Sequence, residues 1–275
     1  MIALNTWEEA NVRAEDVLVH RSGWGVVVNQ GSIVSLDRML VEHSDYGLIV
    51  LQSASLAARD LSVVDGSIGR RRPGGAILIG MSAAATLERV LVEDATTVGL
   101  EVYARGVLDV TSLTVRGTRT VPAWGFGYGV IVDHAEAHFV RAEVADNRGV
   151  GLIAFGLDAR AALGDLVVRS SRPIDCGADP VAECVGIGGY GIVAIDDSVV
   201  EATRFVVDDN DLSGILIAGT GGMDLHTGVV SNHPVGAAIM APGFDLARIE
   251  DDVRWIDNDR ALSTASLPIP PVPEL

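Results

Sequence analysis

Apolar positions along this chain fall into short alternating runs that open on a glycine and recur. The clearest runs from Gly129 to Asn147, GVIVDHAEAHFVRAEVADN. Glycines followed by two or three apolar residues stand at Gly25, Gly47, Gly75, Gly99, Gly129, Gly151, Gly191, Gly214 and Gly236. Downstream of each lies a β-branched residue: Val41, Val63, Val92, Val115, Val144, Val168, Val207, Val230 and Ile256. The interval from Gly to Val is 15 to 17 residues in the first eight cases and 20 in the last, whereas the interval from Val to the next Gly runs from 6 to 23. A rigid segment alternating with an elastic one means a structural unit of fixed length plus a surface loop, because loops accept insertions without disturbing a core.

Each unit reads as three short β-type segments. In the Gly129 unit these are Val130-Ile131-Val132, His138-Phe139-Val140 and Ala142-Glu143-Val144. Residues i and i+2 of a strand share a face, so Val130, Val132, Phe139, Ala142 and Val144 point one way. Stacked units then build apolar columns: Val26, Leu48, Ala76, Leu100, Val130, Leu152, Ile192, Ile215 in one, and Leu36, Ala58, Leu87, Val110, Phe139, Leu163, Ala202, Leu225 in another. Among repeats of this period the leucine-rich repeat is the main rival, but it requires a Leu-rich consensus with a fixed Asn or Cys, which is absent. The pattern predicts an all-β parallel solenoid.

The GI-x-V-type starts (Gly191-Ile192-Val193-Ala194, Gly214-Ile215-Leu216-Ile217) and V-x-D/N-N ends (Val144-Ala145-Asp146-Asn147, Val207-Asp208-Asp209-Asn210) resemble those of the right-handed parallel β-helix repeat proteins, the pectate-lyase-like superfamily in the broad sense. The resemblance runs from Val12 to Asp259. It implies a right-handed parallel β-helix of about ten turns with three strands per turn, and specifies a function hardly at all, since that fold hosts lyases, hydrolases, epimerases, adhesins and scaffolds. The expected organisation is one elongated domain over residues 1–262 and a Pro-rich tail over 263–275. Leu4, Val17 and Val19 already fit the repeat, so the chain reads as opening inside the solenoid, as a longer parent trimmed at its N-terminus would.

Alternation fails on the outer face of the first segment. Its outward positions read Val27, Ile49, Ile77, Glu101, Ile131, Ile153, Val193, Leu216, Ala238, then Asn29, Leu51, Ile79, Tyr103, Asp133, Phe155, Ile195, Ala218, Met240. A parallel sheet apolar on both faces is normally covered on both. The expected covers are the long loops, the tail SLPIPPVPEL or further parts of a parent protein; an uncovered part is a binding surface. Three long loops leave one corner: Asp65 to Gly74, with Arg70, Arg71 and Arg72; Gly117 to Tyr128, with Trp124, Phe126 and Tyr128; and the loop carrying Cys176 and Cys184.

Two outward columns read as structural. The residue before the third segment runs Asp16, Arg38, Asp60, Arg89, Ser112, Arg141, Asp165, Arg204, Thr227, an ion ladder in which opposite charges on adjacent strands attract. Two residues beyond the β-branched position stand His43, Asp65, Asp94, Gly117, Asp146, Ser170, Asp209, Asn232 and Asn258, the short polar residues that turns favour.

Composition narrows function by exclusion. The chain has 37 acidic against 20 basic residues, so nucleic acid is a poor partner. Every basic residue is Arg, which removes lysine-base and Schiff-base chemistry. No apolar run is long enough to span a membrane. Cys176 and Cys184 lack two further ligands for a metal and are expected as a disulfide stapling the longest loop, which implies a secreted, cell-surface or periplasmic location. No cofactor is expected; the one metal reading is calcium among Asp208, Asp209 and Asp211.

The candidate chemistry gathers where the aliphatic face is interrupted. Glu101, Asp133 and His134 stand on neighbouring units as candidate catalytic residues, since paired carboxylates can act as acid and base on a glycosidic bond. Tyr103, Trp124 and Tyr128, with Arg70, Arg71 and Arg72, are the candidate ligand contacts. Two functions follow. One is an extracytoplasmic scaffold or binding module for a polysaccharide or another protein, without catalysis; the other is a polysaccharide lyase or glycoside hydrolase centred on Glu101 and Asp133.

Overall fold

The computed structural model describes residues 2–66, 74–121, 127–174 and 188–272. Arg70, Arg71, Arg72, Trp124, Cys176 and Cys184 lie outside the described residues. The chain forms a parallel β-solenoid of two stacked sheets, one of eleven strands and one of ten, visited alternately, so that sheet order follows chain order. Within the described residues no helix is long and apolar enough to cross a membrane.

The β-branched column is realised over its eight valines. Val41, Val63, Val92, Val115, Val144, Val168, Val207 and Val230 are successive register partners across the second sheet. The next partner is Trp255 rather than Ile256. Leu36 through Leu225 stack in the same way, giving an interior where Val41, Leu61, Val92, Leu100, Val115 and Leu225 are wholly buried. Glycine heads each unit because the chain is crowded there: a Cβ on Gly129 would stand 2.6 Å from the Gly151 carbonyl oxygen and 2.6 Å from Val144 Cγ1.

One unit is shifted by a residue from its expected register. Gly75 pairs with Tyr46 and Val98, so Ala76 takes the glycine column and Ile77, not Ala76, enters the inner one. The outward residues of that strand are therefore Leu78 and Gly80, while Ile77 and Ile79 are buried. The run GGAILI offers more than one start, and alanine is small enough to stand where glycine does elsewhere.

The second and third segments of each unit are the two arms of one ten-residue strand, such as Glu136–Ala145. The bend falls on the charged column: Asp16, Arg38, Asp60, Arg89, Ser112, Arg141, Asp165, Arg204 and Thr227 all have φ between 53° and 63°. Their side chains pair across neighbouring strands, Arg38 with Asp16 at 2.6 Å, Arg89 with Asp60 at 2.5 Å and Arg204 with Asp165 at 2.6 Å. Hydrogen bonds from these guanidinium groups hold the three carboxyls below the ordinary aspartate value. The turn column is left-handed as well, from His43 to Asn232 with Asp257, rather than Asn258, as its last member, at φ between 50° and 70°.

Inside that turn runs a buried polar ladder. Asn147 Oδ1 accepts from Thr118 N at 3.0 Å, Asn210 Oδ1 from Ser171 N at 2.9 Å, and Asn258 Oδ1 from His233 N at 3.1 Å. Each side-chain oxygen takes a backbone N–H that the turn leaves without a ladder acceptor, whereas Thr118 Oγ1, Asn147 Nδ2 and Ser171 Oγ in the same corner are buried without a hydrogen-bond partner.

The solenoid has a second apolar cluster on the outer face of the first sheet. It gathers Val98, Tyr128, Ile131, Val150, Ile153, Phe155, Tyr190, Val193, Ile195 and Leu216, with Leu267 of the tail packed against them. After the last strand, Arg260–Ser263, the chain turns back over this face. Tyr190 Oη donates to the carbonyl of Pro268, Tyr128 Oη donates to that of Pro271 at 2.6 Å, and Leu267 N approaches Met240 Sδ at 3.4 Å. The Pro-rich tail is thus a cover of the aliphatic face, one of the covers expected from the sequence.

Candidate functional site

The polar interruption lies on the outer face of the first sheet, toward the ends of the strands opposite to that of Tyr128. Register places Tyr103 beside Asp133 and Glu101 beside Ile131, on the adjacent strands Val98–Tyr103 and Tyr128–Asp133. Strands stand about 4.8 Å apart, and two residues along a strand cover roughly 6.6 Å, so Glu101 and Asp133 are diagonal neighbours on one face. Phe155 follows Asp133 on the next strand and closes the row with an apolar ring.

Two glycines shape the surroundings. A Cβ on Gly80 would stand 2.0 Å from Tyr103 Cε1, so the Tyr103 ring lies across the bare backbone of Gly80. On the other side Gly156, at φ +87°, leaves space for the His134 ring, 2.3 Å from where its Cβ would be. His134 itself sits at φ 47°, and its Nδ1 is hydrogen-bonded to Asp133 Oδ1. Asp133 is largely covered, with 14% of its side chain exposed, whereas His134 shows 55%. The backbone holds the turn: Arg105 N donates to His134 O at 2.7 Å and Ala104 N to Asp133 O at 3.1 Å.

Glu101 differs from its neighbours. Only 8% of it is exposed, and its Oε1 has no hydrogen-bond partner. Burial, reinforced by the charge of Asp133, pushes its carboxyl up to about 8, so at neutral pH the group is mainly neutral. Tyr103 is raised too, first by burial and then by the nearby Glu101 and Tyr46. Tyr46 acts on Tyr103 from another column of the same face, an influence that the sequence does not reveal. It precedes Gly47 on an outward position, over its register partner Gly75, and its effect on Tyr103 is electrostatic.

The cluster therefore unites Glu101, Tyr103, Asp133 and His134 as the repeat implies. Tyr128 is not among them: it is fully buried with its hydroxyl given to Pro271, so its ring offers no face to a sugar. Arg70, Arg71, Arg72 and Trp124, the remaining expected contacts, fall outside the described residues. The calcium reading meets side chains already engaged. Arg172 binds Asp209 and Asp211 at 2.7 Å each, and Asp208 accepts from Ser231 and Asn232 at 2.7 Å. Among the described residues no group of three or more His, Cys, Asp or Glu is placed to hold a metal.

Exposed aromatics lie on the earlier turns, with Trp7 50% and Trp24 40% exposed. Trp24 is the register partner of Tyr46, so the two stand side by side at the starts of strands Trp24–Val28 and Tyr46–Val50. Comparison with protein-family models, curated proteins and solved structures yields no match, and function must be argued from the geometry alone.

Proposed function

We propose that this protein is a non-catalytic, extracytoplasmic β-solenoid binding module, and that its ligand, a glycan or another protein, meets the outer face of the first sheet at Tyr103, Asp133 and His134. The observation that carries this reading is the burial of Glu101. A carboxyl covered to this extent, with no partner of its own, is poorly placed to protonate a leaving group on a substrate outside. What the face offers instead is aromatic rings with an adjacent Asp133–His134 pair, a combination suited to stacking and hydrogen bonding.

A second reading is kept by one specific observation, the raised carboxyl of Glu101 beside Asp133, which is how environment separates an acid from a base in glycosidases. The test decides between them. The purified chain is screened against uronic-acid and neutral polysaccharides for binding and for released products, with Glu101→Gln and Asp133→Asn in parallel. Binding without products, weakened by Tyr103→Ala and indifferent to Glu101→Gln, is expected. Product release abolished by either carboxyl substitution would replace the module with an enzyme.

A further inference from the structure

The tail is held in a way that describes its binding groove as well as itself. Prolines at 268, 270, 271 and 273 have no N–H to give a sheet, and they bias the residues before them toward extended, polyproline-type backbone. Such a segment repeats every three residues with a rise of about 3.1 Å each, so carbonyls i and i+3 recur on one side every ~9.3 Å. The acceptors actually used, Pro268 O and Pro271 O, are separated by one such period.

The donors match that spacing. Tyr128 and Tyr190 belong to one outward column with Val150 between them, hence they stand two strands apart, roughly 9.6 Å at ordinary strand separation. Their rings and the wholly buried Ile153 and Val193 make the walls and floor, and Pro270 is buried between the two hydroxyl contacts. A rigid column of tyrosines in register with a three-residue repeat is the arrangement by which aromatic-lined grooves recognise proline-rich peptides.

We propose that the outer face between Tyr128 and Tyr190 is a polyproline-binding groove, that the chain's own tail is a ligand tethered in it, and that a proline-rich extended segment of a partner protein with the Leu-Pro-Ile-Pro-Pro pattern binds there when the tail is out. The hold on the tail is light. No strand pairing joins 264–272 to the sheet, and Ile269 and Val272 remain 51% and 38% exposed. What keeps it seated is tethering, which supplies an effective concentration in the millimolar range and makes the tail an intramolecular competitor. This groove is separate from the Tyr103–Asp133 cluster and does not depend on what that cluster binds.

The experiment uses a chain ending at Ala265 and a fluorescein-labelled peptide of sequence SLPIPPVPEL, followed by anisotropy. Saturable binding is expected, at least tenfold weaker to the Tyr128→Phe, Tyr190→Phe double variant and at least tenfold weaker to the full chain. No saturable binding by a shortened chain that keeps its β-sheet circular dichroism overturns the proposal. So does equal binding of a peptide carrying alanine in place of the prolines at 268, 270 and 271. If the shortened chain loses its β signal, the full chain with a dye at its C-terminus answers the same question. Excess unlabelled peptide, or the two Tyr→Phe changes, should free the tail and lower the dye's anisotropy, and an unchanged value overturns the proposal equally.

Discussion

Nδ1 of His233 accepts the backbone N–H of Asn210 at 3.0 Å, while its Nε2 donates to the carbonyl of Val207 at 3.2 Å. Asn258 makes the same pair of bonds one turn later, accepting from His233 N and donating to Val230 O at 2.9 Å. The imidazole thus stands in for an asparagine in the buried ladder, and it must be neutral to do so. Burial holds its pKa below 6.5, against the opposing pull of Asp208 and Asp209. As pH falls below 6.5 the unfolded chain takes up a proton that the folded chain refuses, so stability drops in that window. His233→Asn should leave stability near pH 7.5 within about 1 kcal/mol and remove this part of the loss at pH 5. Urea unfolding of both proteins at the two pH values checks it; parallel losses would contradict the neutral role.

Glu101 gives the opposite slope. Its folded carboxyl titrates at about 8 against an ordinary 4.5, so the folded chain holds a proton that the unfolded chain has lost. Stability therefore falls as pH rises from 4.5 to 8, by an amount on the order of 3 kcal/mol at pH 7. Glu101→Gln keeps the shape and removes the titration. The variant should match the wild type near pH 4.5 and exceed it at pH 8, as read from denaturant midpoints across the range.

Why some of this was readable from the chain and some not has a physical reason. Val144 and Phe139 announce their column because an interior position constrains volume and polarity at once, and every unit repeats the constraint. Turn residues such as Asp146 and Asp209 are legible because left-handed backbone favours short polar side chains. Ala76 stands one place from its expected column because a small residue satisfies the crowded glycine column without being glycine. His233 carried no signal, because its kinship with asparagine lies in the geometry of two nitrogens rather than in residue class. Tyr46 carries no signal because its influence on Tyr103 acts through space between different units and columns.

The glycines test which crowding is rigid. A Cβ at Gly129 meets the Gly151 carbonyl and Val144, neither of which can retreat without moving a neighbouring strand. The three atoms nearest a Cβ at Gly80 all belong to the ring of half-buried Tyr103, which can swing outward. Gly129→Ala should therefore destabilise by about 3 kcal/mol or more, and Gly80→Ala by about 1 kcal/mol, typical of overpacking against fixed and movable neighbours. The second substitution should also increase access of a small quencher to Tyr103, measured on the Gly80→Ala protein against the wild type.

Thr227 is the one β-branched residue in the bend column, exposed and at φ 54°. Its predecessors Arg38, Arg89 and Arg204 at least gain an ion pair from their position, whereas a threonine there gains none and bears the full steric penalty of left-handed backbone. That penalty is roughly 1–2 kcal/mol for an L-residue and absent for glycine, though glycine also loosens the unfolded chain. Asparagine tolerates the conformation without that entropic loss. Thr227→Asn should raise stability by about 1 kcal/mol and Thr227→Gly by less, seen as a higher urea midpoint at unchanged slope. A lower midpoint for Thr227→Asn would mean that the bend at this strand is not set by the left-handed residue, and the same explanation would then fail for the whole column from Asp16 onward.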